Sequence, residues 1–112
     1  MRDERAGIVI DLTRAKLQCR VDGDEEDALI EGYIGAARIG VEKYLKRKLY
    51  DTPEALAAAD DPSGLVVDDA HEHAMLLLIG EWYAHRESSG PATGELPHAV
   101  TWLISSDRFY TV

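Results

Sequence analysis

The tripeptide His71-Glu72-His73 contains residue types that bind transition metals. In the metalloprotease motif His-Glu-x-x-His, the two histidines are four residues apart and therefore lie on one face of a helix. The spacing of two in this sequence directs the rings roughly 200 degrees apart on a helix, and His85 is too far along the chain to complete a site. We therefore interpret His71 and His73 as polar residues in the first turn of a helix, replaceable without loss of the fold. The sequence predicts no metal ligands.

Residues 22–27, Asp-Gly-Asp-Glu-Glu-Asp, suggest a calcium-binding loop because they are dense in carboxylates. The EF-hand loop, however, needs ligands at alternate positions, a glycine at the sixth position and a glutamate at the twelfth. Here Gly23 occupies the second position. We interpret this segment as a helix cap followed by acidic residues in the first turn, where negative charge stabilises the helix dipole.

Cys19 is the single cysteine, and it lies next to Arg20, whose charge favours a thiolate. No sequence pattern joins Cys19 to a histidine and an acid, and its position fits the apolar side of a helix. The sequence also contains no glycine-rich phosphate loop. We therefore predict no catalytic residues and no cofactor. A single cysteine excludes an internal disulfide and fits a reducing compartment.

The charge of the chain excludes several classes of partner. Twelve basic residues against 21 acidic ones give a net charge of −9. Such a surface repels the phosphate backbone of nucleic acids and the anionic cytoplasmic side of membranes. The longest apolar run, residues 74–79, is too short to cross a bilayer, and the N-terminal residues lack the apolar stretch of a signal peptide. We expect a protein that is cytosolic where it is made.

The 112 residues suit a single domain with a thin core, and this size slightly favours assembly with other copies. Periodicity and capping signals predict a mainly α fold, a small domain with two long helices and short flanking helices, with room for a minor short β element. The predicted elements are a flexible arm at residues 1–10, a helix at 12–19 capped by Asp11, a long helix from a cap at Asp24 to about residue 48, a short helix after Thr52 ending at residue 59, a brief strand at 65–67, a second long helix at about 69–88 capped by Asp68, a short helix at 98–105 and a tail at 109–112.

The first long helix has an apolar face and a separate strip of small residues. The residues predicted to face the core are Ile30, Ile34, Ala37, Val41, Tyr44 and Leu45. The strip consists of Gly32, Ala36 and Gly40, spaced four apart. Each glycine costs up to about 1 kcal/mol relative to alanine in a helix interior. The strip therefore either lets another helix approach closely, across a subunit boundary or within the chain, or is tolerated by a helix stabilised through its core face.

Trp82, Tyr83 and Arg86 cluster near the end of the second long helix. Aromatic residues and arginine are enriched in protein interfaces, but the same residue types complete small cores. The sequence leaves both interpretations open.

Three segments, in this order, resemble the phage head-tail connector family, also called gp6-like adaptors. Residues 11–49 resemble a family pattern of a short helix ending in Lys-x-x-Leu-Arg-Val-Asp, an acidic turn, and a long helix with Ala-Ala-Arg and later Glu-x-Tyr-Leu. Residues 73–88 resemble an apolar helix ending in Trp-Tyr-x-x-Arg-Glu, and residues 96–108 resemble Leu-Pro-x-x-Val-x-x-Leu-Leu with a terminal arginine. The matching residues are Lys16, Arg20, Val21, Asp22, Ala36, Ala37, Arg38, Glu42, Tyr44, Leu45, Trp82, Tyr83, Arg86, Glu87, Pro97 and Arg108.

The chain departs from the family pattern at a few positions. Cys19 stands where leucine is usual, and Ala99 stands where glycine is common. Ser106 and Asp107 replace a proline and an aromatic residue, which affects the contacts expected at the C-terminal end. The acidic segment at residues 50–70 has no counterpart in the pattern.

The resemblance implies a structural adaptor in the virion neck that catalyses nothing and is assembled in the host cytoplasm. Its expected partners are other copies of itself in a ring, the portal protein, and tail or head-completion proteins, while genomic DNA passes through without specific binding. The candidates for family-motif or interface positions are Lys16, Arg20, Asp22, Arg38, Glu42, Tyr44, Trp82, Tyr83, Arg86, Pro97 and Arg108. An alternative from another class is an acidic helical regulator or DNA mimic that binds a basic partner, for which the net charge is the only support. An enzyme of unknown chemistry ranks third.

Overall fold

In the computed structural model of the protein, the described residues are 10–85 and 97–108. Within them the fold is mainly α, as predicted, with one two-stranded sheet. The elements are α1 (Leu12–Cys19), α2 (Asp27–Leu45), β1 (Leu49–Tyr50), α3 (Pro53–Ala59), β2 (Leu65–Val66), α4 (Asp69–Ala84), α5 (His98–Ile104) and a 3-10 turn (Ser105–Asp107). Residues 1–9 of the predicted arm, Arg86 and the predicted tail at residues 109–112 lie outside the described residues. None of the described helices is long and apolar enough to span a bilayer.

Helix α4 forms the centre of the fold, and α1, α2 and α5 all pack against it. Its middle is apolar on all sides and lies mostly in the core of the chain. The buried residues of α4 are His71, Glu72, Ala74, Met75, Leu76, Leu78, Ile79 and Trp82. The helix ends at Ala84, before the predicted end near residue 88. Ile10, predicted to belong to the flexible arm, is instead buried in the core, because an isoleucine next to α1 stabilises the fold by leaving water.

Helices α1, α3 and α5 begin where local capping signals predict them. The Asp11 carboxylate accepts a hydrogen bond from the Arg14 backbone N–H at 2.8 Å, and Thr52 Oγ1 accepts one from the Ala55 N–H at 3.0 Å. Pro53 occupies the first turn of α3, where its missing N–H costs nothing. Pro97 precedes α5, and its carbonyl accepts hydrogen bonds from the backbone N–H groups of the first turn.

Helix α2 is shorter than predicted at both ends. It starts at Asp27 rather than after Asp24: the residue at the cap is Glu26, and the Asp24 carboxylate binds Lys16 Nζ at 3.2 Å. It ends at Leu45 rather than near residue 48, because Lys46 adopts a left-handed conformation with a φ of 57°. This turn brings Leu49 into the core, where it is 1% exposed.

The core face of α2 largely follows the predicted pattern. Within the predicted set, Ile30, Ala37, Val41 and Leu45 are buried, whereas Ile34 and Tyr44 are half-buried. Tyr33, which the pattern did not include, is also buried.

The β element is a parallel pair in which Leu49 aligns with Leu65 and Tyr50 with Val66. The predicted brief strand is confirmed for Leu65 and Val66, but its partner strand β1 was not predicted because it directly follows the charged end of α2. Helix α3 connects the two strands and lies against them.

Candidate functional site

Two family-motif residues on α2, Arg38 and Glu42, hold the turn from α2 into β1. Arg38 donates hydrogen bonds to the Asp51 carboxylate and to the Leu49 carbonyl oxygen, both at 2.6 Å. Glu42 accepts a hydrogen bond from the Leu49 backbone N–H at 2.8 Å, and its carboxylate lies 3.7 Å from the Arg38 guanidinium. The structure therefore brings Arg38 and Glu42 together in one network. This network satisfies both backbone groups of Leu49, so its role within the chain is to fix β1.

Lys16, another motif residue, connects α1 to the start of α2. Its Nζ lies 2.9 Å from Asp27 and 3.2 Å from Asp24. The hydrogen bond to Asp27 is the main reason why the pKa of Lys16 is raised above its usual value. The neighbouring motif residues Arg20 and Asp22 are exposed, and Arg20 ends α1 in the left-handed conformation with a φ of 61°. Lys16 thus holds the acidic turn at residues 22–25 at one end of α2.

Tyr44 and Arg108 are brought together although they are far apart in the sequence. The Arg108 guanidinium lies 4.8 Å from the centre of the Tyr44 ring, a cation–π geometry worth about 0.5–1 kcal/mol at an exposed site. This contact holds the end of the 3-10 turn against α2.

The sequence left open whether Trp82 and Tyr83 belong to the core or to an interface, and the two residues differ in the structure. Trp82 is buried, and its ring lies 5.8 Å from that of Tyr33 at a tilted angle of 56°. Trp82 therefore completes the core of this chain. The hydroxyl of half-buried Tyr83 donates a hydrogen bond to Glu26, which ties the end of α4 to the start of α2.

His71 lies at the start of α4, as predicted, but it is 1% exposed. Its Nδ1 accepts a hydrogen bond from the Asp68 backbone N–H at 3.1 Å, and its own backbone N–H donates to the Asp68 carboxylate at 3.0 Å. Because Nδ1 is an acceptor, neutral His71 carries its proton on Nε2, which lies 2.8 Å from the Asp107 carboxylate. One imidazole therefore joins the first turn of α4 to the 3-10 turn after α5. This burial argues against our expectation that His71 is replaceable, whereas His73 is exposed.

Asp68, His71 and Asp107 also offer possible metal-ligand atoms that lie within 4.8 Å of one another. In the described part of the chain, no other group of three histidine, cysteine, aspartate or glutamate residues does so. However, each ring nitrogen already has its own hydrogen-bond partner, and the two nitrogens point away from each other. A single ion could bind only one of them. We therefore assign a structural role to this cluster. The sequence pattern missed it because Asp107 is 36 residues from His71.

Glu72, the middle residue of the same tripeptide, is buried and lies 2.6 Å from the Arg14 guanidinium on α1. This ion pair between α1 and α4 gives the carboxylate a structural partner.

The outward side of α2 carries small and apolar residues. A Cβ atom added at Gly32, Gly35 or Gly40 would meet nothing within 4 Å, so within the described residues no helix approaches these glycines closely. Leu29 and Ile39 on the same helix are exposed. For the described residues, this excludes the explanation that the glycine strip lets another helix of the same chain approach α2 closely.

An open groove lies at the C-terminal end of α2 and is unusually basic for so acidic a chain. Four basic residues, Lys43, Lys46, Arg47 and Lys48, line it together with Ile39, Ser63 and the two acidic residues Glu42 and Asp61.

Both acids in this groove have internal partners. The Tyr50 hydroxyl donates a hydrogen bond to Asp61 at 3.0 Å, and this bond is the main reason why the pKa of Asp61 lies below its usual value. Burial is the main reason why the pKa of Tyr50 itself is raised. Glu42 binds the Leu49 N–H, as described above. The charge that the groove presents to a ligand is therefore mainly positive.

Comparison with known proteins gives two matches. Residues 9–99 match the family model described as phage gp6-like head-tail connector protein. The fold is similar to the crystal structure of gp6 from bacteriophage HK97, with a TM-score of 0.62, 25% sequence identity, and coverage of 93% of this chain and 97% of that chain. No curated protein matches the sequence significantly.

Proposed function

This chain belongs to the phage gp6-like head-tail connector family, and from this membership we propose that it forms a homo-oligomeric ring below the portal in the virion neck. The ring extends the DNA channel toward the tail and joins head to tail. Its partners are further copies of the chain, the portal protein, and tail or head-completion proteins. The protein acts structurally and carries out no catalysis.

The similarity to HK97 gp6 over nearly the full length of both chains is the observation that carries this proposal. The family match over residues 9–99 includes the Trp82-Tyr83 and Leu96-Pro97 segments, which an acidic regulator or DNA mimic would leave unexplained. That alternative retains only the net charge of −9 as support.

Exposed apolar side chains on three helices support assembly through two different surfaces. Leu17 on α1 is 74% exposed, Ile39 on α2 is 53% exposed, and Trp102 on α5 is 73% exposed. A contact in which one surface meets a different surface on the next copy closes into a ring when the rotation between copies permits it. We propose that the exposed face of α2, the only long helix with exposed large apolar side chains among the described residues, provides one of these surfaces, together with the short helices α1 and α5.

The acidic character of the chain supports the role of a passive channel lining. DNA carries one negative charge per about 1.7 Å of duplex axis, so a ring built from subunits with a charge of −9 lets DNA move without binding it.

Co-expression with the portal protein encoded by the same phage tests the proposal. We expect the two proteins to purify together, and electron microscopy of the complex to show an additional ring on one end of the portal. A portal protein from an unrelated phage serves as the control for non-specific association. If the chain does not bind its own portal protein and stays monomeric at all accessible concentrations, the proposal is wrong.

A further inference from the structure

The two ends of α2 carry opposite charges that form no ion pair with any of the described residues. At the C-terminal end, Lys43, Lys46 and Lys48 are exposed and form no ion pair within residues 10–85 and 97–108. At the N-terminal end, the exposed residues Asp22 and Glu25 likewise form none with any described residue. Both groups of side chains are therefore available to a partner.

The length of α2 prevents these groups from meeting within one molecule. The helix has 19 residues, which corresponds to about 28 Å at 1.5 Å per residue. The Debye length at physiological salt is only about 8 Å, so the opposite charges scarcely interact across the helix. The acidic turn and the basic groove can satisfy each other only between two copies of the chain.

The groove suits a short acidic segment better than a nucleic acid. Its four basic residues are confined to one end of α2, while the chain as a whole carries a charge of −9. A DNA duplex on the groove would bring many phosphates close to the surrounding acidic surface, and this repulsion opposes binding. A turn with two or three carboxylates matches the small extent of the positive charge.

The surface between the two ends of α2 allows a neighbour to approach. The exposed residues Leu29, Gly32 and Ile39 are apolar or lack a side chain, and Ile39 also lines the basic groove. The groove is thus continuous with apolar surface that gains stability when another subunit covers it.

We propose that the acidic turn at residues 22–25 of one copy binds in the basic groove of the next copy, at Lys43, Lys46 and Lys48. The contact joins two different surfaces, so it is directional and can be repeated around a closed ring. This inference rests on the proposed ring and specifies the subunit contact within it.

Charge reversal at the two ends tests the contact. One variant carries Asp22→Lys and Glu25→Lys, a second carries Lys43→Glu and Lys48→Glu, and a third carries all four substitutions. The third variant restores the complementary pair and keeps the net charge of the natural chain. A control with Glu31→Lys and Asp69→Lys makes the same charge change as the first variant at exposed positions outside the contact.

The mass of each assembly is measured by native mass spectrometry or analytical ultracentrifugation, with the portal protein present and absent, at low and high salt. We expect the first two variants to assemble at least tenfold more weakly than the natural chain. The four-substitution variant and the control should assemble normally. High salt should weaken the natural assembly because it screens the exposed charges. Circular dichroism melting curves confirm that each variant is folded.

The outcomes separate this contact from the connector proposal. If the natural chain forms rings and both reversed variants form them equally well, the contact is wrong while the connector function stands. Rings lost in the reversed variants but not regained with all four substitutions also overturn the contact, as does a natural chain that forms only a symmetric dimer. A natural chain that binds DNA through the three lysines and assembles without them contradicts the contact as well. If the natural chain remains monomeric with and without its portal protein, both proposals fall.

Discussion

Replacing His71 by alanine should destabilise the fold far more than replacing His73. His71 is 1% exposed, and its ring makes two hydrogen bonds, one from the Asp68 backbone N–H and one to Asp107. Each contributes about 1 kcal/mol. Truncating the buried ring adds about 1 kcal/mol or more for the cavity. The expected loss is about 3 kcal/mol, a large part of the roughly 5–15 kcal/mol typical of a folded domain.

Urea unfolding at neutral pH, followed by circular dichroism, measures this effect as a change in the free energy of unfolding. His73→Ala is the matched control, because His73 lies two residues away on the same helix turn and is exposed. It should change the free energy by less than about 0.5 kcal/mol. Equal effects of the two substitutions would refute the reasoning from burial.

A double-mutant cycle isolates the contact between α4 and the 3-10 turn. Asp107→Ala combined with His71→Ala should cost less than the sum of the single substitutions, with a coupling of about 0.5–3 kcal/mol. Additive effects would show that the 2.8 Å contact contributes nothing to stability.

Four further predictions concern three single side chains and the binding of DNA. Arg38→Lys should lower the free energy of unfolding by about 1 kcal/mol, because an ammonium group lacks the planar fork of donors with which the guanidinium binds Asp51 and the Leu49 carbonyl; urea unfolding checks this. The pKa of Asp61 is lowered in the folded state, so its stabilising contribution is present above its ordinary pKa of 3.8 and is lost as the pH falls below it; Asp61→Asn should reduce the loss of stability on acidification. Trp102→Ala should leave the stability of the single chain within about 0.5 kcal/mol, because the side chain is 73% exposed, but should weaken assembly as measured by sedimentation. The isolated protein should not bind duplex DNA at physiological salt in a fluorescence anisotropy assay.

Each of these predictions has an outcome that contradicts it. An Arg38→Lys variant as stable as the natural chain means that the network on β1 is dispensable. An unchanged acid transition in Asp61→Asn means that the Tyr50 hydrogen bond does not stabilise the fold, and a marked loss of stability in Trp102→Ala means that Trp102 belongs to the core. Micromolar DNA binding with a steep salt dependence contradicts the passive channel.

The elements that could be predicted from the sequence are those whose signals are local. Helix α3 begins with Thr52 and Pro53, which supply a cap and a preset backbone angle within two residues. Helix α1 likewise depends on Asp11, which binds a backbone group three residues later. The apolar face of α2 is visible because residues three and four apart on a helix lie on the same side.

The features that could not be predicted depend on contacts between distant residues. Asp24 lies before the start of α2 and binds Lys16 on another helix. Strand β1 exists because Leu65 pairs with Leu49 across an intervening helix. The hydrogen bond between His71 and Asp107 joins residues that are 36 positions apart, and Asp107 stands at one of the positions where this chain departs from the family pattern.

The family resemblance identified Arg38, Glu42, Tyr44 and Arg108 as important but could not assign their roles. The structure places the first two on β1 and brings the other two into contact with each other. Within a single chain, these contacts give each of the four side chains a structural role.

Deletion of the gene from its phage tests the central claim most directly, with the particles examined by electron microscopy and the natural gene supplied in trans as a control. A head-tail connector should be required after the head is built, so the deletion should yield filled or leaking heads without tails, and the natural gene should restore infectious particles. Normal infectious virions that lack this protein would contradict the account.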